Sequence, residues 1–147
     1  MNKEFVSYQQ ALELKELGFD EPCFTSYDDE GRLRNPFDYA KSEYGGNAPY
    51  IEDTKEWIHN SDLTIKNFNG PHHLYTQYIT APLYQQAFRW FREKHQLNYE
   101  ITTAGTEDKY HAFVKDHFYI NTDLIEFTYE EAQLACLKKL IELVKNK

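Results

Sequence analysis

Three times in 147 residues the chain sets a helix-opening residue ahead of a Tyr-x-x-Ala run, and this recurrence constrains the fold more than any other feature. The runs are Tyr8-Gln9-Gln10-Ala11, Tyr84-Gln85-Gln86-Ala87 and Tyr129-Glu130-Glu131-Ala132. Ser7 and Gln10 have the spacing of a capping box, in which two side chains satisfy amides that the first helical turn leaves unpaired. Thr128 and Glu131 repeat that spacing. Ahead of the middle run, Thr80 is the expected cap, and Pro82 falls in the first turn, where its missing N–H is tolerated.

Three helices are predicted on this basis: Tyr8 to Leu17, Pro82 to His95 and Tyr129 to Lys145. The first buries Ala11, Leu14 and Leu17, and Gly18 ends it in a left-handed conformation. The second presents Leu83, Tyr84, Ala87, Phe88, Trp90 and Phe91 as a wide apolar face. The third carries Ala132, Cys136, Leu137, Leu140, Ile141 and Val144 as a stripe, with acids at its start and Lys145 at its end, as the helix dipole favours.

Strand signals lie between the helices. Cys23 to Tyr27 is a short β-prone run closed by Asp28-Asp29-Glu30-Gly31, a turn composition, after which Arg32 to Arg34 is the expected hairpin partner. Tyr99 to Ala104, Tyr110 to Val114 and Phe118 to Ile120 supply further strand. A helix–hairpin unit thus appears twice, too few times for a repeat array. Asn35 to Ile79 reads as a folded insertion, because it holds Phe37, Tyr39, Tyr44, Tyr50, Trp57, Phe68, Tyr75 and Tyr78. Within it, Asp53 to His59 is a candidate helical turn, and Leu63 to Phe68 and Leu74 to Ile79 are candidate strands. The expected architecture is one α+β domain: three helices packed on a small antiparallel sheet, with the aromatic-rich insertion between the first hairpin and the second helix.

Composition bounds the class. Aromatics make up 16 % of the chain, which excludes a wholly disordered protein. No run approaches the length of a membrane span. The opening Met1-Asn2-Lys3-Glu4 lacks a signal peptide's apolar stretch, and two cysteines make no disulfide framework, so the expectation is a soluble, intracellular chain. Sixteen Lys and Arg stand against 24 Asp and Glu, a net charge of −8. That balance repels nucleic acid at long range; Arg89, Arg92 and Lys94, or Lys138 and Lys139, are the local exceptions, and each set is explained by a solvated helix face.

A catalytic constellation is hard to assemble. The chain has no G-x-S-x-G, phosphate-binding loop, dinucleotide fingerprint, H-E-x-x-H or C-x-x-C. His72 and His73 are consecutive, so in an extended segment they diverge. His111 and His117 share strand parity but stand roughly 20 Å apart if the chain does not bend. A tertiary cluster of His59, His72 or His73 with Cys23 is the one metal arrangement left open, and neither a metal nor a cofactor is expected. Cys136 and Cys23 read as small buried residues, and Asp28-Asp29-Glu30 as a turn without a calcium loop's alternation. The insertion's aromatics are the strongest non-catalytic signal, since Tyr, Trp and Arg dominate interface hot spots.

Ile79 to Lys94, Ala11 to Cys23 and Tyr129 to Ile141 together resemble small uncharacterised proteins encoded by phages and prophages of Bacteroidetes-type bacteria. The resemblance covers roughly a third of the chain and carries no catalytic residue with it. It implies a mobile-element protein in a bacterial cytoplasm, and by analogy of context one that neutralises a host defence, such as a CRISPR effector, by binding.

The leading expectation is therefore a non-enzymatic binding protein that acts on a host protein or ribonucleoprotein, with Tyr39, Tyr44, Tyr50 and Trp57 as its contact residues. Direct nucleic-acid and membrane binding are not expected. The alternative is a pocket for a nucleotide or similar small anion, served by Arg89, Trp90 and Arg92. A third reading, an enzyme, requires a histidine–carboxylate cluster assembled by the fold.

Overall fold

The computed structural model describes residues 2–33, 70–73, 76–103, 109–116, 120–126 and 128–147. The class is α+β: the described residues form three α-helices and two small antiparallel sheets. In chain order the elements are a short 3-10 turn (Asn2–Glu4), α1 (Tyr8–Glu16), β1 (Thr25–Tyr27), β2 (Gly70–His73), β3 (Thr76–Ala81), α2 (Tyr84–His95), β4 (Asn98–Thr103), β5 (Tyr110–Lys115), β6 (Ile120–Glu126) and α3 (Tyr129–Lys145). They fall into two compact units, one of Met1–Val6, Glu16–Phe19 and Leu83–Lys147, the other of Ser7–Lys15 and Asp20–Pro82.

In the unit that holds the C-terminus, β4, β5 and β6 form an antiparallel sheet with β5 in the centre. Residues facing each other across such strands share a face, so register decides what is inside. Ile101 pairs with Ala112, and Tyr99 with Val114. Ala112 and Val114 are fully buried beneath α3, whose Ala132, Cys136, Leu137, Leu140 and Ile141 are buried in turn. α2 joins the same core through Phe88, which stacks on Tyr99 with ring centroids 3.8 Å apart. Trp90 fills the space between Phe19 and Phe91 edge-on, at 5.5 and 5.1 Å.

Local chemistry sets the helix ends. At α3 the Glu131 N–H donates to Thr128 Oγ1 at 3.1 Å, and the Thr128 N–H donates to Glu131 Oε2 at 3.0 Å, the reciprocal box read from the sequence. α2 differs from expectation. Its cap is Leu83, which has no side-chain oxygen, so only half a box forms: the Leu83 N–H donates to Gln86 Oε1 at 3.0 Å. Thr80 is not the cap because it is the β3 partner of Ser26, and Pro82 precedes the helix for the same reason. α2 ends on Gln96 in the left-handed region (φ 58°), and the Leu97 N–H donates back to Phe91 O at 3.2 Å. Leu17 and Val144, expected as core, are half-buried at the ends of their stripes.

In the other unit β3 is central, with β1 and β2 on either side. Thr25, Ser26 and Tyr27 pair with Ala81, Thr80 and Ile79. Of the predicted hairpin partner Arg32 to Arg34, Leu33 returns beside β1 as an antiparallel bridge to Tyr27, while Arg34 lies outside the described residues. All three β1 residues are buried, and the uncharged Ile79-Thr80-Ala81 suits a ladder on such a strand. The last part of the expected insertion is therefore sheet. The predicted turn at Asp28-Asp29-Glu30-Gly31 is present and closed by an Asp28–Arg32 backbone bond of 3.0 Å. Gly31 has φ +76°, and a Cβ there would stand 2.9 Å from the Tyr8 ring, so only glycine fits. Tyr8 in turn meets Tyr27 edge-on at 5.6 Å, which seats α1 on β1.

Candidate functional site

Tyr39, Tyr44, Tyr50 and Trp57, the expected contact residues, lie outside the described residues, as do His59 and His117 and the candidate elements at 53–59 and 63–68. His72 and His73 fall in β2. Among the described residues no three His, Cys, Asp or Glu side chains come together in a way that would hold a metal ion.

The alternative set is not brought together. Arg89 and Arg92 are exposed on one face of α2, whereas Trp90 is 3 % exposed and points to the interior, flanked by Phe19, Phe91 and the His95 ring at 4.7 Å. One helical position turns a side chain by about 100°, so an indole next in sequence to Arg89 leaves that arginine's face. Burial, and then the charge of Lys147, lower the His95 pKa, which favours the neutral imidazole. Of the other basic candidates, Lys139 pairs with Glu142 at 2.8 Å and Lys138 is exposed, the arrangement of a solvated helix face.

The nucleophile candidates are committed to structure. Cys136 is fully buried, and burial pushes its thiol up to about 12. A thiol of that pKa is almost wholly protonated at neutral pH and is a poor nucleophile. Its Sγ lies 3.9 Å from the Phe113 carbonyl, a weak contact that ties α3 to β5. Cys23 is also buried, with its Sγ 3.5 Å from the Glu21 carbonyl. Ser26 Oγ is buried without a hydrogen-bond partner among the described residues.

The acidic run closes its own turn. Asp28 is buried, and its Oδ1 accepts from the Glu30 N–H at 3.0 Å and the Arg32 N–H at 2.9 Å, while Oδ2 accepts from Arg32 Nε at 2.9 Å. Burial alone would raise the Asp28 pKa; the bonds from Arg32, its charge and the Glu30 amide outweigh that and hold it below the ordinary carboxylate value.

What the structure does expose is apolar surface. On the β4–β5–β6 sheet, the face opposite α3 carries the row Thr102, His111 and Ile125, set by register. His111 stacks on Phe113, two positions along the same face, with centroids 6.1 Å apart and planes at 23°. Ile125 is 56 % exposed at the margin of this face. Just beyond β6, Tyr129 is 42 % exposed and meets Tyr110 edge-on at 5.9 Å. Beside this apolar surface Glu100 pairs with Lys115, and Lys3 reaches Glu130 at 3.7 Å. Sequence reasoning missed this face. The signal was the alternation His111, Phe113, Lys115 against Ala112, Val114, which marks one side of β5 as covered and the other as open.

No protein-family model, no curated protein and no solved structure matches the chain. No helix among the described residues is long and apolar enough to cross a membrane.

Proposed function

We propose that the protein is a non-enzymatic binding protein that acts on a host macromolecule, in the setting of a phage or prophage countering a bacterial defence. The observation that carries this reading is Ile125, a large apolar side chain held more than half exposed on a sheet whose other face is filled by α3. Covering the exposed half of such a side chain is worth about 1–1.5 kcal/mol, which a partner's surface supplies on binding. The buried cysteines support the same direction, since their chemistry is spent on packing. Tyr39, Tyr44, Tyr50 and Trp57 remain the aromatic contact residues suggested by the sequence, and the phage setting rests on the resemblance of the three helical segments.

The test is affinity capture with the tagged full chain from a bacterial lysate, followed by rebuilding the complex from purified components. The expected result is a partner that binds the purified chain saturably. Failure of every retained species to rebind, or turnover of a substrate by the purified chain, overturns the proposal. For the counter-defence part, cells that carry a CRISPR defence should admit a targeted phage when they express the chain; unchanged phage plating removes that part.

A further inference from the structure

We infer that the β6 side of the β4–β5–β6 sheet receives an extended, basic segment of a partner protein; this rests on the binding reading above and names the surface and the partner's chemistry. Among the described residues β6 is laddered on one side only, by β5, and a strand side of that kind is where an added strand pairs. Ile125 on β6 is 56 % exposed, and its row continues inward through His111. Apolar side chains on every second residue of an added strand would extend that row.

Charge selects the occupant. From Asp116 to Leu137 the chain carries five carboxylates and no Lys or Arg; of these Glu130 meets Lys3 at 3.7 Å and Glu131 caps α3, and Asp123 and Glu126 belong to β6 itself. Glu130 and Glu131 are exposed at the start of α3, directly after β6. Natural edge strands are commonly guarded by lysine, and β6 has none. A second copy of the chain is a poor occupant, because pairing β6 with itself sets acidic strand against acidic strand. Nucleic acid is repelled by the same charge. A segment alternating Lys or Arg with apolar residues matches both the carboxylates and Ile125.

The test is fluorescence-polarisation titration of a labelled alternating Lys–Val heptapeptide, and of its Glu–Val counterpart, with the purified full chain. The Lys–Val peptide should bind, more weakly as salt is raised from about 50 to about 300 mM, and the Glu–Val peptide should not. Ile125→Lys should weaken binding by about tenfold or more, and Phe24→Lys, on the other unit, should leave it unchanged. Amide NMR shifts caused by the peptide should centre on 120–126, a readout that does not depend on a variant folding. Equal binding of both peptides, indifference to Ile125→Lys in a folded variant, or shifts centred elsewhere would overturn the assignment. So would sedimentation showing a dimer that Ile125→Lys dissociates. If neither peptide binds while a captured partner still rebinds the chain, this surface assignment fails and the binding reading stands.

Discussion

At the scale of single residues, two side chains that invite a chemical reading are held by the fold instead. With its thiol pushed up to about 12 by burial, Cys136 should resist alkylation in the native protein at pH 8 and react fully only after denaturation. Mass spectrometry of iodoacetamide-treated samples checks this, and rapid native labelling at Cys136 would contradict it. Asp28 works in the opposite direction. Its pKa is lower in the folded state than the ordinary 3.8, so the folded protein favours the carboxylate. The stability this contributes is present above the unfolded value and is lost as pH falls through the folded one. Asp28→Ala removes the acceptor shared by the part-buried Glu30 and Arg32 amides and should cost about 1–3 kcal/mol near neutral pH. The variant should also show a smaller loss of stability than the wild type on acidification below pH of about 4, as measured by urea unfolding across that range.

At the scale of elements, one position stands out as suboptimal. Gln96 ends α2 at φ 58°, where a side chain costs about 1–2 kcal/mol that glycine avoids. Gln96→Gly should therefore stabilise the protein by about 1 kcal/mol once glycine's greater freedom in the unfolded chain is subtracted. Thermal or urea unfolding decides it, and a loss of stability would mean that the Leu97–Phe91 bond does not hold the end in place. The same elements separate what could be read from the chain from what could not. α3 was legible from Thr128 to Lys145 because its cap is local chemistry between residues three apart. Thr80 misled because Thr-Ala-Pro has the composition of a helix start, yet Ser26, more than fifty positions away, makes it a strand residue. β6 went unread beyond Ile120 because Asn121-Thr122-Asp123 is poor strand chemistry, and pairing with β5 overrides that preference. The candidate surface was illegible for the same reason: Ile125 gains its meaning from lying across from His111, a long-range pairing.

At the scale of the whole molecule, a net charge of −8 would speed encounter with a basic partner and make it salt-sensitive. The chain has placed its thiols and its Trp90 indole inside and left Phe24, Ile125 and Tyr129 exposed. The most direct measurement is calorimetric titration of the partner recovered by capture into the wild-type chain and into Ile125→Lys, both verified as folded. The account predicts saturable binding by the wild type and an affinity lower by about tenfold or more in the variant. Equal affinities, or a partner that emerges chemically altered from contact with the chain, would contradict it.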